Sequence, residues 1–245
     1  MNVKQTKYNT TQLHIDKAED RGIVHRDYLA HCLRWTHIVK YTKVGQRVLD
    51  AGCGLNTPLA WTMYTNKFRP GLYVGLDFRS DFDSKPGTFP FPVELIGGFD
   101  VTSNEDWDKF ALKHLKSFDI ISCLEVLEHM PKEAGIKLLQ NLAIQPGRPT
   151  IFLSTPCFNG GAAANHIYEW RYLELYEELQ KYFQVEAHYG TFGSQADYVP
   201  LMTPEEARVF IRLKDYYDSN VLAVIFAPLY PAGSRNCIWR LRTQS

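Results

Sequence analysis

Two glycines, Gly52 and Gly54, follow the short strand-like run 47–50 (RVLD) and precede a segment of helical character. Because glycine has no Cβ, a loop of this kind turns sharply and lets a ligand approach the backbone closely. The unsatisfied N–H groups at the start of the following helix favour the oxygen atoms of an anionic ligand. Taken alone, the same loop is also typical of an ordinary tight turn between a strand and a helix.

Acidic residues follow the next two apolar runs along the chain. Asp77 ends the run LYVGLD and is followed by Phe78, and Asp100 with Val101 follows the run PVELIGGF. An acidic residue in the first of these places accepts hydrogen bonds from both hydroxyls of a ribose. Phe78 would then pack against an adenine face, Asp100 would accept from the adenine amino group, and the backbone N–H of Val101 would donate. These residue types therefore point to a bound nucleoside.

Candidate acid–base residues lie further along the chain, and histidine and glutamate are common general bases. His129 follows LEVLE, and His166 and Glu169 lie three positions apart in a segment rich in small residues, where they would share a face if the segment is helical. The structural alternatives are packing of His129 at a helix start and an ordinary hydrogen bond for His166. A metal role for His166 with Glu169 is the weakest alternative because the sequence shows no further ligand cluster, so we expect no metal.

Strand-like and helical segments alternate along most of the chain, and these elements must position the candidate residues. The expected strands are 47–50, 72–77, 92–96, 118–123, 150–154, 183–187 and 237–241. The expected helices are 20–41, one after Asn56, 105–116, 132–143, 171–182 and 204–217. This rhythm predicts βαβ units and a mostly parallel sheet, in which ligands bind at the carboxyl ends of the strands.

The segment after the glycines carries a further local expectation. Asn56 stands where a third glycine is common in loops of this kind, and asparagine tolerates a left-handed backbone better than most residues. We expect Asn56 to preserve the turn, Thr57 to cap the helix and Pro58 to occupy its first turn.

The length of 245 residues fits one domain, or one domain with a sizeable insertion. We expect an N-terminal helical cap over residues 1–44, a ligand-binding core over 45–190 and a final core strand within 236–245. Residues 191–235 exceed what a hairpin needs, and they form either a lid over the site or a docking surface. The apolar run within them, 221–230, is a candidate dimer surface, although such runs more often belong to a core.

Composition limits the compartment and the partners. Lysine plus arginine equals aspartate plus glutamate at 27 each, so net charge demands neither a nucleic-acid nor a membrane partner. The five cysteines are scattered without a CxxC pair, which argues against a disulfide framework or a cysteine zinc site. No signal-like segment or apolar stretch of membrane-spanning length is present. We therefore expect a cytoplasmic protein with free thiols.

The order of the motifs supports a more specific interpretation. VLDAGCG, VGLD, FD, FDIISCLEVLEHM and IQPG before IFLSTP together resemble the class I S-adenosylmethionine-dependent methyltransferases. The chain is most similar to the branch that methylates small molecules, such as the ubiquinone-pathway O-methyltransferases and their type 11/12 relatives. The resemblance covers about residues 45–190, and Asn56 departs from the family's frequent third glycine.

The resemblance implies a fold and a cofactor. The fold would be α/β and Rossmann-like, with a seven-stranded, mostly parallel sheet, an antiparallel last strand and helices on both faces. S-adenosylmethionine would lie across the ends of the first four strands. Gly52 and Gly54 would line its methionine part, and Asp77 would hold the ribose hydroxyls.

Further residues take cofactor roles by the same resemblance. Leu124 and Glu125 would border the methyl donor, and Asp100 would meet the adenine amino group. Asp50 would orient the glycine loop or reach the cofactor's amino group through water. Arg34 would pair with the cofactor carboxylate, although its helix face is equally typical of a solvated surface.

The function implied is methyl transfer to an oxygen or nitrogen atom of a small-molecule acceptor, with His129, His166 and Glu169 as catalytic candidates. A nucleic-acid or nucleotide methyltransferase is the alternative, together with an accessory protein that binds the cofactor without transferring the methyl group. Related aminocarboxypropyl transfer also stays open. The segment LEVLEH stands where DNA amino-methyltransferases carry [DNS]PP[YFW], and it argues against amino methylation of DNA bases. The sequence names neither the acceptor nor the oligomeric state.

Overall fold

The computed structural model describes residues 26–83 and 85–244, so the predictions for residues 1–25 lie outside the described residues. The helices within these ranges are α1 Arg26–Tyr41, α2 Pro58–Thr65, α3 Asn104–Lys113, α4 Lys132–Ala143, α5 Tyr172–Gln180, α6 Gln195–Tyr198, α7 Pro204–Leu213 and α8 Ser219–Ile225. The strands are β1 Arg47–Ala51, β2 Leu72–Leu76, β3 Val93–Ile96, β4 Ile120–Leu124, β5 Thr150–Pro156, β6 Phe183–Phe192 and β7 Asn236–Thr243.

The strands form one sheet in the order β3-β2-β1-β4-β5-β7-β6. β1 to β5 pair in parallel, whereas β7 lies antiparallel between β5 and β6. The predicted α/β class, the strand number and the antiparallel last strand are all confirmed. Because strand order reverses between β1 and β4, their carboxyl ends form the crevice in which such sheets bind ligands.

Each sheet face carries its own apolar core because successive strand residues point to opposite faces. Val48 packs with residues of α1 and α2 on one face, and its neighbour Leu49 packs with residues of α3, α4 and α5 on the other. On β4, Ile120 packs in the same core as Val48, and Ile121 packs in the same core as Leu49. The predicted placement of helices on both faces is therefore confirmed.

The start of α2 corrects one local expectation. The left-handed residue is Thr57, with φ of 44°, and Asn56 is not among the non-glycine residues with positive φ in the described chain. Thr57 is the helix N-cap residue, but its side chain makes no capping hydrogen bond. Pro58 opens the helix as expected, since the first turn needs no proline N–H. The left-handed backbone conformation of this turn is therefore found at Thr57 and not at Asn56.

The segment after β6 builds a small core of its own from Tyr198, Phe210, Leu222 and Ala227. In this core the Tyr198 hydroxyl donates to the Ala223 carbonyl at 2.6 Å. α8 packs against α1, so part of the apolar run 221–230 is core. None of the described helices has the length and apolar character that crossing a lipid bilayer requires.

Candidate functional site

A cavity of about 960 Å³ opens at the carboxyl ends of β1, β2 and β4. This volume lies at the upper end of the range of about 300–1,000 Å³ for small-molecule sites. The cavity brings together all ten predicted cofactor residues: Arg34, Asp50, Gly52, Gly54, Asp77, Phe78, Asp100, Val101, Leu124 and Glu125. His129 also lines it, whereas His166 and Glu169 do not. Its lining residues fall between 31 and 134, so a lid role for residues 191–235 stays a prediction.

The glycine loop turns from β1 towards α2 through two left-handed positions. Gly52 has φ of 79° and Gly54 has φ of 69°, a region that side chains rarely adopt. A Cβ on Gly52 would lie 2.3 Å from Val126 Cγ2, whereas a Cβ on Gly54 would meet nothing within 4 Å. Gly52 is therefore required by the packing of the protein, and Gly54 leaves open space on the cavity side.

Asp77 is buried beside this loop at 5% exposure. Its Oδ2 accepts from the Gly54 backbone N–H at 3.0 Å, and its Oδ1 accepts from the backbone N–H and Nε of Arg79 at 3.0 and 3.1 Å. Phe78 is 74% exposed, and the Arg79 guanidinium lies 5.6 Å from its ring centre. Arg79 therefore occupies the carboxylate oxygens that a ribose would use.

Asp100 and Val101 sit in a tight turn at the cavity. Asp100 Oδ1 accepts from the backbone N–H and hydroxyl of Thr102, both at 2.8 Å. The Val101 carbonyl accepts from Trp107 Nε1 at 2.8 Å and from Asn141 Nδ2 at 3.3 Å. These contacts fix the turn, so the two residues face the cavity from a rigid backbone.

Arg34 is 2% exposed in α1 although its side chain reaches the cavity. Its Nη2 contacts His31 Nδ1 and lies 3.7 Å from Glu125 Oε2, while its Nε and Nη1 are buried without a hydrogen-bond partner in the described structure. Burial, followed by the nearby Arg34 charge, lowers the pKa of His31 to about 3. Because orphaned charged donors are costly, Arg34 is suited to a carboxylate ligand.

Glu125 holds an unusual place directly after β4. Its backbone is left-handed, with φ of 56°, and its N–H donates to the Ser154 carbonyl at 2.9 Å. Its carboxylate accepts from Ser154 Oγ at 2.7 Å and from Asn236 Nδ2 at 2.9 and 3.0 Å. Burial acts to raise the pKa of Glu125, but Arg34, His31 and these hydrogen bonds together lower it. These contacts therefore fix the position of the Glu125 carboxylate. Its partner Asn236 is not among the site residues predicted from the sequence.

Asp50 is buried at the end of β1 between two hydroxyl donors. Its Oδ2 accepts from Tyr73 at 2.6 Å and its Oδ1 accepts from Ser122 at 2.7 Å. Burial raises the pKa of Asp50 to about 6, against the lowering effect of these hydrogen bonds. Since both oxygens are occupied from within the sheet, orientation of the loop is the role that this geometry favours. Neither Tyr73 nor Ser122 is among the site residues predicted from the sequence.

The three predicted catalytic residues form a chain that starts at the cavity wall. The His129 and His166 ring centres lie 5.2 Å apart, and His166 Nδ1 lies 2.5 Å from Glu169 Oε1. Glu169 Oε2 in turn lies 2.7 Å from Arg235 Nη2. The condition for a shared helical face is not met, because residues 166 and 169 lie outside any helix, and their side chains meet within a loop. Burial lowers the pKa of His129, which favours its neutral form.

Glu128 lies beside His129 and His166, although it is not among the site residues predicted from the sequence. It is 1% exposed, and its Oε2 accepts from Thr155 Oγ1 at 2.9 Å. Burial raises the pKa of Glu128 well above its usual range. One potential ligand atom each from Glu128, His129 and His166 lies within 4.8 Å of the others. In the sequence, the position of Glu128 directly before His129 could have indicated that it belongs to the site.

Comparison with known proteins gives matches over most of the chain. Residues 24–192 match the profile of a family described as a methyltransferase domain. The ubiquinone biosynthesis O-methyltransferase of Hahella chejuensis is 28% identical over 114 residues, which are 44% of this chain and 42% of that protein. The enzyme of the same name from Saccharophagus degradans is 30% identical over 129 residues, 50% of this chain and 49% of that protein. The match spans about half the length of these curated relatives.

Solved structures show the same fold at low sequence identity. A S-adenosylmethionine-dependent methyltransferase from Archaeoglobus fulgidus aligns over 95% of this chain and all of that chain, with a TM-score of 0.54 and 15% identity. The N-methyltransferase NodS from Bradyrhizobium japonicum, in complex with S-adenosylhomocysteine, aligns over 88% of both chains, with a TM-score of 0.55 and 10% identity. These two likenesses describe the fold alone.

Proposed function

The chain belongs to the family described as a methyltransferase domain, and we propose that it is an S-adenosylmethionine-dependent methyltransferase that methylates an oxygen or nitrogen atom of a small-molecule acceptor. A hydroxyl is the preferred acceptor. The observation that carries the proposal is one cavity that holds both the unpartnered donors of Arg34 and the neutral imidazole of His129. The first group suits the cofactor's carboxylate, and the second suits an acceptor that must lose a proton.

The residues present fit the cofactor. Among the residues that the structure describes, the buried Nε and Nη1 of Arg34 have no hydrogen-bond partner, and a Cβ on Gly54 would meet no atom within 4 Å. Arg34 would hold the cofactor carboxylate, Asp77 the ribose hydroxyls and Asp100 the adenine amino group. Arg79 would release the oxygens of Asp77 as the ribose binds. S-adenosylmethionine supplies a methyl group on a positively charged sulfur, which is an activated donor for in-line displacement.

The protein's contribution to transfer is alignment and proton removal. Alignment in a shared cavity supplies much of the rate of a two-substrate reaction. With the cofactor bound, the chain's own residues would orient the acceptor oxygen towards the methyl group and accept the proton that this oxygen loses. His129 is the candidate base because it lines the cavity and burial favours its neutral form. Glu169 would position His166 beside it.

The preference for a hydroxyl has two supports. The curated relatives are named O-methyltransferases, although the match covers about half of their length. The residues near the cavity also supply a neutral imidazole, which an oxygen acceptor needs more than an already neutral amine. A nucleic-acid acceptor gains no support from the zero net charge.

The test has two stages. Calorimetry with S-adenosylmethionine and S-adenosylhomocysteine should show one site for each. Methyl-labelled cofactor is then offered with panels of phenols, alcohols, amines and short RNA, and the label should appear on a hydroxyl of a small molecule. Transfer to RNA alone would refute the small-molecule proposal. Cofactor binding without transfer to any panel would favour an accessory cofactor-binding protein.

A further inference from the structure

We propose that Glu128, His129 and His166 bind one divalent transition-metal ion at the wall of the cavity. One potential ligand atom from each side chain lies within 4.8 Å of the others. Ions such as zinc hold nitrogen and oxygen ligands at about 2.0–2.2 Å, so small side-chain rotations suffice to close the site. This proposal replaces the expectation of no metal, which rested on the lack of a third ligand that Glu128 supplies.

The orientation of the two imidazoles is an independent observation in favour of the site. His129 Nδ1 lies 3.2 Å from the carbonyl oxygen of Asn165, and His166 Nδ1 lies 2.5 Å from Glu169 Oε1. Carbonyl and carboxylate oxygens accept hydrogen bonds, so each Nδ1 carries the proton and each Nε2 keeps its lone pair. Metal-binding histidines are held in this way by a carboxylate or a carbonyl.

Glu128 presents the third ligand from the protein interior. Its Oε2 is held by the Thr155 hydroxyl at 2.9 Å, and its Oε1 lies 3.9 Å from His129 Nε2. Within residues 26–83 and 85–244, the ion pairs of up to 4.0 Å give this carboxylate no lysine or arginine partner. A metal ion would bind this carboxyl group in place of a proton, because carboxyl groups are deprotonated when they bind a metal.

The ligand set indicates the class of metal and its task. Two imidazoles with one carboxylate suit zinc, manganese, iron or cobalt better than magnesium or calcium, which prefer oxygen ligands. Three protein ligands leave coordination positions open, as in catalytic metal sites. Because His129 lines the cavity, an open position would face the acceptor there.

This task rests on the proposed methyl transfer to a hydroxyl group, and it replaces His129 as the proton acceptor. An acceptor hydroxyl bound to the cation would ionise more easily, since the metal stabilises the oxygen's negative charge. Its proton would leave to water rather than to His129, whose lone pair would be committed to the metal. Glu169 would act as a positioning residue for His166.

The experiment measures metal binding without reference to turnover. Chelator-treated, full-length protein is titrated with Co²⁺, and visible absorption reports coordination by the protein. We expect one saturable site per chain. Glu128→Gln, which keeps an acceptor for Thr155, and His166→Asn should each weaken Co²⁺ binding more than the ~10–100-fold expected for the positioning variant Glu169→Gln.

The matched control is His188→Asn. His188 lies on β6, contacts Tyr172 of α5 and is not part of the metal-ligand cluster. Its Co²⁺ affinity should equal that of the unsubstituted protein. No Co²⁺ absorption, or an affinity that Glu128→Gln and His166→Asn leave unchanged, would overturn the site. Calorimetry with S-adenosylhomocysteine verifies that each variant is folded. Failure of every acceptor with Co²⁺ bound would refute the proposed function and leave the metal site intact.

Discussion

The guanidinium of Arg34 lies 3.7 Å from the carboxylate of Glu125, so a buried residue of α1 is tied to the end of β4. The remaining carboxylate contacts of Glu125 come from β5 and β7, through Ser154 and Asn236. Arg34 is thus held by a group that is itself fixed, and within residues 26–83 and 85–244 two of its buried nitrogen atoms have no hydrogen-bond partner. This arrangement is the one expected if Arg34 binds the carboxylate of a ligand.

Arg34→Met should therefore weaken S-adenosylhomocysteine binding by about 10–100-fold, because a hydrogen bond to a charged group contributes about 1.5–3 kcal/mol. Calorimetry measures the loss. Adenosine is the matched ligand, since it lacks the carboxylate, and its affinity should not change. An equal loss for adenosine would show that the substitution damages the pocket rather than removing the carboxylate contact.

Asp77→Ala should remove most of the affinity for both S-adenosylhomocysteine and adenosine, because the ribose loses its acceptor. Arg79→Ala should leave the affinity for both ligands unchanged or increase it, since the Arg79 guanidinium donates to the Asp77 carboxylate in the absence of ligand. Calorimetry on the two variants in parallel distinguishes these roles. Strong loss in Arg79→Ala would mean that Arg79 contacts the cofactor itself, and unchanged binding in Asp77→Ala would contradict the ribose assignment.

The two loop glycines should respond differently to alanine. Gly52→Ala combines a left-handed backbone with a Cβ 2.3 Å from Val126, so we expect a loss of unfolding free energy beyond the ~1–2 kcal/mol of the backbone strain alone. Gly54→Ala should lose only that smaller amount but weaken cofactor binding. Denaturant unfolding and calorimetry provide the two readouts. Val126→Ala should partly rescue Gly52→Ala and not Gly54→Ala.

Asp50 should give the protein a specific pH dependence of stability. Its pKa is raised from 3.8 to about 6 in the fold, so the folded state favours the protonated form. Its contribution is fully present below about pH 3.8 and is lost as pH rises through about 6, a change on the order of 3 kcal/mol.

The measurement for Asp50 is the difference in unfolding free energy between the unsubstituted protein and Asp50→Asn, followed from pH 4 to 7. This difference should fall with rising pH and level off above the raised pKa. His31 and His37, whose pKa values burial lowers to about 3 and 4, act in the opposite direction and cancel in the difference. A flat difference would contradict the raised pKa. Tyr73→Phe should move the window upwards, because the Tyr73 hydrogen bond lowers the pKa.

The sequence contained enough information for the strands and for many residues that line the cavity at the carboxyl ends of the strands, because both depend on local order. Each strand was visible as a short apolar run, and Asp50, Asp77 and Asp100 follow such runs directly. The partners Tyr73 and Asn236 could not be predicted in this way, because their contacts depend on how distant strands align. Glu128 was missed for a related reason, since only the fold brings His166 beside it.

Two errors have local physical causes. Asn56 has the better propensity for a left-handed backbone, yet packing places that conformation at Thr57. β6 extends to Phe192 beyond the expected end at residue 187, with register shifts between Val185 and Ala187 and between Gly190 and Phe192. Gly190 allows this extension, because any Cβ there would lie 1.9 Å from Ser234 Oγ. The pattern of apolar residues in a sequence does not indicate such close approaches between backbone and side chain.

The position of β7 has a consequence for how the chain folds. β6 precedes β7 in the chain, but β7 lies between β5 and β6. During synthesis, β5 and β6 therefore wait with unpaired edges until residues 236–243 emerge, and unpaired edges invite association with other chains. Asn236 lies at the start of the same strand, so Glu125 gains this partner only when the sheet closes. The same strand therefore pairs the edges of β5 and β6 and supplies a contact to the candidate site.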